Sequence, residues 1–274
     1  MLPARETGSL PVRWIAIQAL SASGFGERAM DGSTIQIVVF LAATFVAAVV
    51  VGVSGFAFAL IAAAVWLHVL TPVQTATLII GYGVIVQSYG TWRMRHAISW
   101  SRIWPFLLGG AIGIPVGAYI LHWANPAHLR AGTGVFLSLY AIYGLARPEL
   151  KVVRAGVAAD VGVGVASGML GALTGFAGIL IVIWSGLRGW PRDVQRGVFQ
   201  PASVALLLMC ALALGTTGSI TRETLKLFLI GLPVLFAGNW VGLRLYGRVD
   251  EATFRRIVLI LLLASGIPLI AALR

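Results

Sequence analysis

The chain has 274 residues, 59% hydrophobic and 11% charged, with a mean hydropathy of +0.93 and a formal net charge of +11. Soluble domains carry about a quarter charged residues, so this composition excludes a soluble domain and indicates a polytopic membrane protein. Eighteen of the twenty basic residues are Arg, spread over short loops; they read as orientation signals and not as a nucleic-acid footprint.

Residues 1–32 hold the short apolar stretch "RWIAIQAL", too short to span, and read as an N-terminal tail. Five apolar segments follow in a first repeat, 33–150, at about 33–53, 55–70, 73–92, 103–121 and 127–146. Five more fill a second repeat, 151–274, at about 155–174, 175–189, 194–214, 222–243 and 252–272. The second segment of each repeat is short, either a tilted helix or the return arm of a re-entrant hairpin.

The first two segments meet at "GVSGFAF", residues 52–58, and the same junction recurs as "GMLGALTGFAG", residues 168–178. Hydroxyl, Gly, Phe and Ala stand in the same order: Ser54, Gly55, Phe56 in one, Thr174, Gly175, Phe176 in the other. Glycine opens a helix without steric cost, so Gly52, Gly168, Gly171 and Gly178 read as helix-break residues around these points. Half-helices starting at Gly55-Phe56 and Gly175-Phe176 would present free amides and a positive dipole end, a ready anion site near the membrane midplane. A serine between glycines also admits a nucleophile in an intramembrane hydrolase. That chemistry needs a base within reach, and a helical path puts His68 roughly 21 Å from Ser54. Thr174 in the matching position is a poor counterpart nucleophile.

Further along, Gln87 and Gln200 occupy corresponding segments and are candidates to line a path and donate to an anion, or equally to hold helices together by hydrogen bonds. Asp160 is the acidic residue expected inside a span, either a candidate for coupling transport to a proton or cation or a solvated acid near a helix start. Gly113 with Gly117, and Gly238 with Gly242, have the four-residue spacing of packed membrane helices. The single Cys210 excludes an intrachain disulfide, and no His, Cys or carboxylate cluster has metal-ligand spacing. No metal or cofactor is expected.

Arg-rich loops alternate with poor ones: Arg93, Arg95 and Arg102; Arg147, Lys151 and Arg154; Arg188, Arg192 and Arg196; Arg244, Arg248, Arg255 and Arg256. Placing these in the cytoplasm gives the two repeats opposite orientations. The expected fold is therefore all-α, two inverted repeats of about five membrane segments, each opening with a Gly-broken helix, in the inner cell membrane. The plan leaves room for a homo-oligomer.

The two break motifs, with "GGAIGIPVGA" and "GLPVLFAGNWVG", resemble the TauE/SafE sulfite exporter family, also called TSUP, over about residues 33–272. The resemblance implies a secondary transporter of small anions such as sulfite, thiosulfate or organosulfonates, working by alternating access and not an enzyme. The alternative of another class is an intramembrane serine hydrolase using Ser54, and a third reading is a passive anion channel in the same scaffold.

Overall fold

A computed structural model describes residues 32–55, 57–93, 95–146, 152–216, 218, 220–245 and 251–271. The expected tail, residues 1–32, falls almost wholly outside these residues, and so does Phe56. The chain divides into a unit of residues 1–35 and a compact unit from Gln36 to Arg274. The latter holds nearly all that follows.

The described residues are all-helical, with ten α-helices where the ten apolar segments were expected. They are α1 (Gly32–Ser54), α2 (Phe58–Val69), α3 (Pro72–Arg93), α4 (Trp100–Trp123), α5 (Pro126–Ala146), α6 (Val157–Thr174), α7 (Ile179–Leu187), α8 (Arg192–Thr216), α9 (Arg222–Leu245) and α10 (Glu251–Ala271), with one 3₁₀ turn at Arg95–Ala97. Six are long and apolar enough to cross a bilayer: α1, α4, α5, α6, α8 and α9. Helices answer the apolar solvent, because each satisfies its own backbone hydrogen bonds.

α2 has twelve residues and α7 nine, about 18 Å and 14 Å of rise, well short of a hydrocarbon core of about 30 Å. Both fold back along the helix before them. Trp66, near the end of α2, donates its indole N–H to the Phe40 carbonyl near the start of α1 (3.4 Å). Trp184, near the end of α7, donates to Asp160 Oδ1 in the first turn of α6 (2.6 Å). The short helices are thus return arms of hairpins. Phe40, Phe58, Trp66, Tyr82 and Phe228 form a continuous run of ring contacts, with centroids 4.9–6.1 Å apart, that seats α2 against α1, α3 and α9.

Small residues set the closest helix contacts. α4 lies on α6 with Gly109, Gly113 and Gly117 against the backbone of Val161, Val165 and Met169. A Cβ on Gly168 would stand 2.7 Å from the Gly110 carbonyl. α9 lies on α1 in the same manner: a Cβ on Gly238 would meet Phe45 O at 2.7 Å, and one on Gly52 would meet Asn239 O at 2.8 Å. This corrects the reading of three glycines as helix breaks. Gly52, Gly168 and Gly171 sit inside uninterrupted α1 and α6. Gly52 and Gly168 serve backbone approach between helices, and Gly171 makes room for Ala177 where the chain returns. In sequence a packing glycine and a breaking glycine look alike; what separates them is the torsion the next residues impose.

Candidate functional site

The breaks fall at Gly55 and Gly175, whose φ values are +85° and +83°. An L side chain is strained there, so glycine is required. Each caps the helix before it: Gly55 N–H donates to Val51 O (2.7 Å) and Gly175 N–H to Gly171 O (2.8 Å). The neighbouring hydroxyls behave alike. Ser54 Oγ donates to Val50 O (2.8 Å) and accepts from Ala57 N–H (3.4 Å). Thr174 Oγ1 donates to Leu170 O (2.7 Å) and accepts from Phe176 N–H (3.3 Å). They tie one helix end to the start of the next turn.

The new helices begin later than expected, at Phe58 and Ile179 in place of Gly55-Phe56 and Gly175-Phe176. The αL glycine first turns the chain, and two or three residues pass before helical torsions resume. Neither start has a side-chain cap. The first amides of a helix have no partner within it; of these, Ile179 N–H is taken by Phe176 O (3.3 Å).

Two cavities adjoin this region. The smaller, about 40 Å³, is lined by Phe58 and Ala59 at the start of α2, Gly178 and Ile179 at the start of α7, and Gly175, Phe176, Gln87 and Ser203. Most of its wall is apolar: Ile79, Val86, Val182, Phe199 and Leu207. At roughly 10–15 Å³ per water it is room for a few waters or one small ion. The larger, about 330 Å³, is lined by Gly52, Gly55, Gln87, Gly90, Arg196, Gln200 and Asn239 among others. Val51, Val86 and Gln87 border both.

Of the residues expected to bind, Gly55, Gly175, Phe176, Gln87 and Gln200 line one cavity or both, with Gly52 and Gly178 beside them. Ser54 and Thr174 line neither, because their hydroxyls turn back onto the last helical turn. Arg196 was read as an orientation charge in a loop; α8 starts at Arg192, so Arg196 is a turn inside the helix and faces the larger cavity.

Asp160 is 7% exposed, and its carboxylate is already engaged. Besides Trp184, Arg188 Nη1 lies 3.7 Å from Oδ1 and also donates to Ala155 O. The group stands apart from both cavities. Asp160→Ala should lower stability by about 2–3 kcal/mol, since it strands an indole N–H and a partly buried guanidinium. Asp160→Asn should lower it less and leave anion uptake standing. Thermal unfolding and vesicle uptake of the two variants check this; loss of gradient-driven uptake in Asp160→Asn, with binding intact, would restore the coupling role.

A family model described as Sulfite exporter TauE/SafE matches residues 40–269. The chain belongs to this family. No individually curated protein and no solved structure matches it. The TauE/SafE match begins on α1 and ends on α10, so it takes in both hairpins and both cavities. As a multi-pass TauE/SafE membrane protein, the chain sits in a family of anion exporters.

Proposed function

We propose that the protein is a secondary carrier of small anions, sulfite, thiosulfate or a short organosulfonate, which bind in the smaller chamber between the two hairpins. The observation that carries this reading is that both uncapped helix starts, Phe58 on α2 and Ile179 on α7, open on that one chamber. A helix N-terminus carries about half a positive charge and free N–H donors. Two of them in a mostly apolar pocket attract an anion more strongly than either would in water. Gln87, on the border with the larger cavity, hands the anion across.

The reciprocal seating of α4 on α6 and of α9 on α1 supports two repeats of opposite orientation that exchange their fourth helices. Charge in the loops supports placing Arg95 and Arg102 on the cytoplasmic side.

Purified full-length protein in lipid vesicles tests the proposal. Sulfur-35-labelled sulfite or thiosulfate should accumulate against its gradient when a proton or sodium gradient is imposed. Equilibration without accumulation would indicate a channel. No protein-dependent movement of any sulfur oxyanion would overturn the reading.

A further inference from the structure

Arg196 differs from most arginines around it. Arg95, Arg102, Arg188 and Arg244 each lie over a Trp ring, with distances of 3.7–6.0 Å to the centroid. Arg130 donates to the carbonyls of Leu67 and Leu70 at the end of α2 (3.1 and 3.4 Å). Arg196 has no ring, carboxylate or carbonyl partner among the described residues, where the ion pair found is Arg188–Asp160. It is half-buried and lines the larger cavity.

Gln200 stands four residues further along α8, on the same face, and also lines that cavity. It is 6% exposed, and its Oε1 is buried without a partner among the described residues. Such orphaned groups are costly and rare in a finished core. The carboxamide is seated by Gly90 of α3, where a Cβ would stand 2.8 Å from Gln200 Nε2. A charge without a counter-charge and a carboxamide whose oxygen has no partner among the described residues thus line one cavity, one helical turn apart.

We infer that Arg196 and Gln200 form an oxyanion-docking subsite in the larger cavity, distinct from the helix-start chamber and loaded before it. The guanidinium takes two oxygens of a sulfur oxyanion in its planar fork. The carboxamide donates its Nε2 hydrogens to the third. The assignment rests on the anion-carrier reading. It adds that selection by charge occurs at Arg196, outside the chamber.

Calorimetric titration of the purified full-length chain with sodium thiosulfate, and separately with sodium sulfite, tests it. Arg196→Gln should weaken binding tenfold to a hundredfold and flatten its dependence on ionic strength. Arg196→Lys, which keeps the charge without the fork, should retain the salt dependence and recover part of the affinity. Gly90→Ala, which displaces the carboxamide, should weaken binding with the salt dependence unchanged. Thermal unfolding of each variant identifies misfolding, and Arg196→Lys keeps the test open if Arg196→Gln does not fold. Wild-type affinity in Arg196→Gln would overturn the subsite and leave the carrier reading intact. Failure of the wild-type chain to bind either anion would overturn both.

Discussion

Gly113→Leu is expected to abolish a stable fold. A side chain at this position in α4 would overlap the Val165 carbonyl of α6, and the obstruction is backbone. Overpacking a core with side-chain neighbours costs about 1–3 kcal/mol; here the neighbour has no rotamer to change, so the loss should exceed about 3 kcal/mol, at or beyond the upper end of that range. The yield of monodisperse protein in detergent and its unfolding temperature are the measurements. Gly162→Ala, on α6 itself, is the internal control. Nothing lies within 4 Å of a Cβ there, so the substitution should stabilise the helix by about 0.5–1 kcal/mol. Equal behaviour of the two variants would show that the seam between α4 and α6 is looser than its spacing implies.

Gly175→Ala should be far more damaging than Gly55→Ala, although the two glycines occupy matching breaks and nearly equal torsions. Left-handed torsions cost an alanine roughly 1–2 kcal/mol in either place. At Gly55 the nearest atom to a new Cβ is Gln200 Nε2, 3.9 Å away, so strain is the whole cost. At Gly175 the Cβ would run into Ile79 on α3, which is fully buried. Gly175→Ala should therefore lose several kcal/mol and anion uptake with it, while Gly55→Ala folds and keeps measurable uptake. Equal unfolding temperatures would mean that Ile79 yields and that only the torsion matters.

Much of the fold was legible because the signals were local. Runs of apolar residues located all ten helices to within a few positions, and the paired Ser-Gly-Phe-Ala and Thr-Gly-Phe-Ala motifs marked both breaks. The direction of α2 and α7 was not legible, since it depends on Trp66 and Trp184 reaching residues about two dozen positions earlier. The hydroxyls of Ser54 and Thr174 looked like ligand donors. Their position in the final turn of a helix gives each a carbonyl four residues back, which it takes first. Arg196 was hidden for a different reason. Its neighbours in sequence are loop arginines, and with α8 beginning at Arg192 it stands one turn inside the helix, on the cavity wall. Asp160 was visible as an unusual acid, but its partners Trp184 and Arg188 come from the return arm. No spacing rule predicts that pairing.

The glycine seams have a mechanical consequence. Where carbonyls of one helix fill the notches of another, as between α4 and α6 and between α1 and α9, lateral sliding requires the two backbones to pass through one another. Each pair is therefore a rigid beam. Contacts between α3 and α8 are of another kind: Gly83 faces the methyl groups of Leu207, and Gly90 faces the carboxamide of Gln200. These are flexible tips that can change rotamer as the helices shift. On the carrier reading proposed above, the α3–α8 surface, which borders both cavities, is one seam along which the helices can slip.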